Sequence, residues 1–151
     1  MILAVIGAVL LLLGSTNRAV GGRDEDDRKP KPLEGGCHVP ITVLTIESPG
    51  LGDRSYLVHD GNVAFVVDPP RDIDRVIELA EKNNVVVEKI FETHLHNDYV
   101  SGGLALSNRS GAAVVASRDE PLSFEIHGVR DRDVVRVGDM VIEARHSPGH
   151  T

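Results

Sequence analysis

The chain has 151 residues, 41% of them hydrophobic, so it is long enough for one domain of ordinary size and apolar enough to bury a core, which excludes a disordered protein. A formal charge of -7 with aromatics at 3% lacks the basic stripes and stacking rings of a nucleic-acid surface and points to a small-molecule partner. The single cysteine, Cys37, excludes an internal disulfide and a cysteine-rich metal cage, leaving histidine and carboxylate to do any metal binding.

Residues 1–18 are an apolar N-terminal segment in which Met1 to Gly14 is a continuous run rich in Leu, Val and Ile. The run reads as membrane-directed, yet it carries no Lys or Arg ahead of its core and is shorter than the ~20 residues of a spanning helix. An anchor contacting the membrane through residues 1–14, a weak signal peptide and an extended start all stay open. Residues 19–38, with Arg23 to Pro32 dense in charge and proline, read as a flexible linker, because such a composition cannot offset the entropy of ordering. Cys37 lies at its end and takes no role.

Residues 39–151 read as a folded domain. Ile41 to Ile46 alternates, Ser55 to Val58 follows, and Asp60-Gly61-Asn62 marks a hairpin turn into Val63 to Val67, giving a β-meander. Asp68-Pro69-Pro70 ends it, and Ile73, Val76, Ile77 and Ala80 recur at helical spacing, which predicts an amphipathic helix from Asp72 to about Asn83. Val85, Val86, Val87, Ile90 and Phe91 predict a buried strand, Leu104 to Leu106 a short helix closed by a left-handed cap at Gly111, and Ala113 to Ala116 a further strand. Ser117 to Arg132 reads as a polar connection, followed by a hairpin of Asp133 to Val137 and Met140 to Ala144 about Gly138-Asp139. The order implies an α/β layered domain with helices packed on a mixed sheet.

The chemistry concentrates in Thr93-His94-Leu95-His96-Asn97-Asp98-Tyr99, where two imidazoles and a carboxylate follow the carboxyl end of the buried strand. His94 and His96, two apart, point the same way if extended geometry persists, and Ser101-Gly102-Gly103 lets the backbone pass close beneath them before a helix starts. A lone His-x-His is more often two surface histidines. Here a second apolar strand delivers His150 on the Ser147-Pro148-Gly149 turn, so His94, His96 and His150 read together as ligands for iron or zinc through neutral imidazole.

These two motifs, with Pro49 to Val58 and Val66-Val67-Asp68-Pro69, resemble the metallo-β-lactamase fold superfamily, most closely its persulfide dioxygenase and glyoxalase II branch, which includes bacterial forms fused to rhodanese domains. The resemblance covers about Val39 to Thr151 and implies the N-terminal portion of an αββα sandwich. It implies His94, His96 and His150 as ligands of a first metal, with the iron of persulfide dioxygenases held by the positions of His94 and His150 plus an aspartate further along. Asp98 matches the carboxylate that binds a second ion together with a following histidine. Tyr99 stands in that histidine's place, and a neutral phenol with a pKa of about 10 is a poor ligand, so one Fe(II) per chain is expected, with zinc as the alternative. Asp98 then orients a ligand, takes part in proton transfer, or caps the loop. Asp68 matches an aspartate that supports the site from beneath by accepting an imidazole N–H, the other reading being a carboxylate at a helix start.

The implied activity is oxidation of a glutathione-type persulfide to sulfite, with thioester hydrolysis of the glyoxalase II kind as the alternative and a non-catalytic fragment as a third reading. The implied partners are a small-molecule thiol or persulfide and, in relatives, a rhodanese domain. The implied location is cytoplasmic, against a membrane-anchored or exported protein. Arg118, Arg130 and Arg132 either recognise substrate carboxylates or, the favoured reading, balance Asp119, Glu120, Asp131 and Asp133 on a solvated edge. In the family the bridging aspartate and the closing half of the sandwich come later than Thr151, which predicts an uncovered sheet face along Val85 to Phe91.

Overall fold

The computed structural model describes residues 2–3, 9–15, 40–48, 54–95 and 100–147. Strands β3 (Thr42–Glu47), β4 (Arg54–His59) and β5 (Val63–Val67) form the antiparallel meander expected from their alternation. From β5 the chain crosses through α1 (Asp74–Lys82) to β6 (Val86–Phe91), then through α2 (Gly103–Ser110) to β7 (Ala113–Ser117). Both crossovers join parallel neighbours, as a helical connection requires. α1 starts two residues later than expected, after Ile73, which supplies no side-chain cap. α2 ends at Gly111 with φ +78°, the left-handed cap the glycine predicted.

The segment read as a connection contributes a strand of its own. β8 (His127–Val129) pairs in parallel with β7 and completes a six-stranded sheet in the order β3-β4-β5-β6-β7-β8. A second sheet has the order β1-β2-β10-β9, where β1 is Ile2–Leu3, β2 is Val9–Ser15, β9 is Val134–Val137 and β10 is Met140–His146. β10 pairs with β9 through the Gly138-Asp139 turn and, along its other edge, with β2 from Met140↔Ser15 to His146↔Val9. The opening apolar run is therefore extended at Val9–Ser15, and among the described residues no helix is long and apolar enough to cross a membrane.

Alternation along the strands builds a core on each face of the larger sheet. Val58, Phe65, Val67, Phe91, Val115 and Val129 face the second sheet and pack with Val135, Val137, Met140, Ile142 and Ala144. Phe65 and Phe91 meet edge to face there, with ring centroids 5.2 Å apart. Leu57, Ala64, Val66, Val87, Ile90 and Val114 face the helices and pack with Val76 and Ala80 of α1 and Leu106 of α2. Val87 and Ile90 share a face although three apart, because the β5–β6 register steps from Ala64↔Val87 to Phe65↔Lys89 and leaves Glu88 as an extra residue. The uncovered face expected along Val85 to Phe91 is thus absent: Ile90 is buried under the helices and Phe91 against the second sheet, which β9 and β10 supply.

Asp60 ties the two sheets together. Its Oδ1 accepts the N–H groups of Asn62 (2.9 Å) and Val63 (3.0 Å) in its own hairpin, and its Oδ2 accepts the N–H of Asp139 (3.3 Å) in the β9–β10 turn. Burial by itself raises the carboxyl pKa, but the donors of Val63, Asn62 and Asp139 outweigh it and hold the group below the 3.8 usual for aspartate. A folded value below the unfolded one means the stabilisation is full above 3.8 and is lost as pH falls through the folded value. In urea at neutral pH, Asp60→Ala is expected to lower the unfolding free energy by about 1–3 kcal/mol. That deficit should shrink as the pH is taken below 3.8, and a deficit unchanged at low pH would assign the effect to packing.

Candidate metal centre

Parallel strands end together, so the segments after β5, β6 and β7 converge at one edge of the larger sheet. After β5 comes Asp68, whose φ of +47° turns the chain out of the sheet, a left-handed conformation that aspartate tolerates better than most residues. Its backbone N–H still donates to Phe91 O (2.8 Å), and its carbonyl accepts the hydroxyl of buried Ser55. The carboxylate reaches across to the residues after β6. Oδ1 accepts the N–H of Thr93 and Oδ2 accepts the Thr93 hydroxyl, both at 2.7 Å.

This pairing decides the state of the neighbouring imidazole. The single hydroxyl proton of Thr93 is committed to Asp68, so the 2.9 Å contact between Thr93 Oγ1 and His94 Nδ1 has the ring N–H donating to the oxygen. His94 then carries a proton on Nδ1, so in the neutral ring Nε2 is the nitrogen that can bind a metal. Asp68, Thr93 and His94 are all buried, with Thr93 only 1% exposed. Where direct acceptance of an imidazole N–H was expected of Asp68, the bonds seen here go to Thr93, whose hydroxyl in turn meets His94 Nδ1. Thr93 had drawn no role from the sequence, and the signal that could have found it is a hydroxyl placed between a strand-end acid and the first histidine.

The loop after His94 is held at its far end by the same turn. Gly102 N–H donates to Pro69 O (2.9 Å), and a Cβ on Gly102 would lie 2.1 Å from Pro70 O. One on Gly103 would lie 2.0 Å from Glu92 Oε1, so the close passage expected of the glycine pair is real. Glu92 accepts the Ser101 hydroxyl, which in turn accepts the N–H of Gly103 (3.0 Å) and fixes the start of α2. Glu92 is a further residue that sequence reasoning passed over, a lone acid at the end of an apolar strand.

His96, Asp98, Tyr99 and His150 lie outside the described residues, as do Cys37 and the linker. Among the described residues no group of three His, Cys, Asp or Glu side chains is gathered around one point. His146 ends β10 exposed to solvent, as expected of a strand-end surface residue. Arg132 pairs with Asp131 and Glu143, each at 3.7 Å, while Arg118 and Arg130 are exposed. A cavity of about 320 Å³ opens beside His94, lined also by Glu92, Ser101, Leu104, Leu122 and Phe124.

Comparison with known proteins places this geometry. Residues 49–151 match the model of the metallo-beta-lactamase superfamily, and the chain belongs to that superfamily. It is 32% identical over 132 residues to the human mitochondrial persulfide dioxygenase ETHE1, covering 82% of this chain and 50% of that protein. It is 28% identical over 106 residues to a hydroxyacylglutathione hydrolase of Prochlorococcus marinus, covering 68% of this chain and 42% of that protein. The crystal structure of ETHE1 from Myxococcus xanthus superposes with a TM-score of 0.61 at 27% identity, covering 66% of this chain and 45% of that one. The chain thus spans about half the length of the curated relatives it matches, and its layered mixed sheet is a partial domain of this fold.

The relay predicts its own disruption. Thr93→Val removes the acceptor of the His94 Nδ1 proton and the hydroxyl donor to Asp68, and should lower the unfolding free energy by about 1–3 kcal/mol. The ring-nitrogen shifts of His94 in NMR should move from a single Nδ1–H tautomer to a mixture. Thr93→Ser should restore both readouts; a single tautomer retained in Thr93→Val would mean that something else fixes the ring.

Proposed function

We propose that this chain forms the metal-holding half of an enzyme that oxidises a low-molecular-weight persulfide, of the glutathione type, to sulfite at a single ferrous iron. The observation that carries the reading is the Asp68–Thr93–His94 relay, which orients the His94 ring through Nδ1, so that in its neutral form Nε2 is the nitrogen that would bind a divalent ion. The donor chemistry fits the group: His94 and His150 would hold the iron, with His96 or Asp98 as the further ligand from this chain. The similarity to a persulfide dioxygenase over 82% of the chain favours the same reaction class.

Ferrous iron, when bound, supplies the redox centre at which dioxygen can react with a sulfur compound. In the overall reaction the persulfide, dioxygen and one water yield the thiol, sulfite and two protons, so dioxygen and water between them provide the three sulfite oxygens. The protein's part is positional. Asp68 and Thr93 keep the His94 ring fixed, and the anchors at Thr93 and Gly102 hold the two ends of the loop that carries His96 and Asp98. Asp98 is assigned to orienting a ligand or moving a proton released in the reaction.

Thioester hydrolysis is the second reading, favoured by the hydroxyacylglutathione hydrolase relatives. Metal count separates the two, since a hydroxide bridging two ions suits hydrolysis while dioxygen chemistry needs iron. Tyr99 in place of a ligating histidine favours one ion. The chain purified anaerobically with ferrous iron is expected to hold about one iron, and His94→Ala or His150→Ala to lose it. Tyr99→His should permit a second ion without displacing the first. Two zinc ions per chain at full occupancy in the unaltered protein would transfer the assignment to the hydrolase.

A further inference from the structure

The segment that carries the candidate ligands is closed on itself by a side-chain bond. Glu92, the first residue after β6, accepts the hydroxyl proton of Ser101, nine positions further on, so residues 93–100 run between two points joined at their base. The carboxylate also rests against the start of α2, since a Cβ on Gly103 would lie 2.0 Å from Glu92 Oε1. The Ser101 hydroxyl oxygen in turn accepts the N–H of Gly103 at 3.0 Å.

Both partners stand on fixed structure. Glu92 N–H donates to Val115 O at 2.9 Å, which keeps it in line with β7, and Ser101 leads into α2, whose Leu106 is fully buried in the core. Glu92 and Ser101 are themselves half-buried, so their bond spans the base of the loop without filling the core beneath it. A metal ion that takes donors from one loop must restrict that loop, and where the ends are already joined part of the lost freedom has been removed before the ion arrives. The Asp68–Thr93–His94 relay orients one imidazole. His96 and Asp98 come later in the same loop, between His94 and Ser101, and their approach to an ion at His94 depends on how that loop is closed.

We propose that Glu92 and Ser101 are positioning residues for the metal: their bond pre-forms the loop that brings His96 or Asp98 to an ion held by His94. The inference rests on the metal-site reading above and deepens it, because it assigns part of the site's affinity to two residues that are not themselves assigned as ligands.

Cobalt(II), a redox-stable probe of divalent sites, tests this on the full chain by titration against a chromophoric chelator. Ser101→Ala and Glu92→Ala should each weaken cobalt binding by about tenfold, as expected of residues that orient metal ligands. If the two act through one bond, the double variant should bind no more weakly than the weaker single variant. Glu92→Ala leaves the Ser101 hydroxyl on the Gly103 N–H, so a loss in that variant is not an effect of an uncapped α2. Glu92→Gln keeps an acceptor oxygen and should recover most of the affinity. In the metal-free variants the His94 ring signals in NMR should stay in place, which separates this bond from the relay. Full affinity in either alanine variant, additive losses in the double variant, or a loss in Glu92→Gln as large as in Glu92→Ala would each overturn the assignment. An unaltered chain that takes up no cobalt would overturn the metal reading itself and this inference with it, so the two failures are told apart.

Discussion

The grip of the Asp68 carboxylate on Thr93 is the constraint on which the candidate site depends. It has a conformational cost, since Asp68 sits at φ +47° with its side chain buried, and a left-handed residue other than glycine is disfavoured by about 1–2 kcal/mol, somewhat less for aspartate. Against that stand two hydrogen bonds of 2.7 Å to the carboxylate, each contributing about 1.5–3 kcal/mol where a charged partner is involved. The balance favours the turn. The strain is held at the one point where the chain must leave the sheet and still reach the neighbouring strand's end.

From that point the order propagates in both directions. Asp68-Pro69-Pro70 grips the start of the histidine loop through Thr93 and its end through Gly102, so one short turn sets both ends of the segment carrying His94, His96 and Asp98. The arrangement tolerates no side chain at the far anchor, where a Cβ on Gly102 would meet the Pro70 carbonyl. The sheet edge thereby fixes Thr93 and Gly102, the points between which the histidine loop runs, and loops held by such a scaffold are where function is usually carried.

Much of this was legible in the sequence, and the exceptions have physical causes. Strands with one buried face announce themselves by alternation, so β3, β4, β5, β9 and β10 fall within a residue or two of where the pattern puts them. β8 did not, because His127-Gly128-Val129 has no alternation to read and is a strand only by virtue of its pairing with β7. The opening apolar run could not be assigned by periodicity, since a short unbroken run suits a buried strand as well as a helix; at Val9–Ser15 it is a strand that pairs with β10. The expectation of a bare sheet face failed because it counted layers by family analogy and overlooked that β9 and β10, already in the chain, form the second layer. Asp68 was visible as a strand-end acid, but its partner was not, because a threonine that relays a hydrogen bond has the same letter as one that fills a strand.

The position of the site follows from hydrogen-bond accounting at the end of β6. Up to Phe91 and Glu92 the backbone donors and acceptors are met by neighbouring strands, with Asp68 N–H on Phe91 O and Glu92 N–H on Val115 O. One residue further, Thr93 is 1% exposed and β5 has turned away, so its N–H would be a buried donor without an acceptor. The Asp68 side chain stands where the next carbonyl of β5 would have been. Because Thr93 also brings a hydroxyl donor, the site needs two acceptor oxygens on one side chain, which aspartate provides and asparagine does not. The group that closes the sheet's ladder therefore also orients the Thr93 hydroxyl, and through it sets the tautomer of His94. Chemistry begins at the first residue where a side chain has replaced the backbone as the sheet's hydrogen-bond partner.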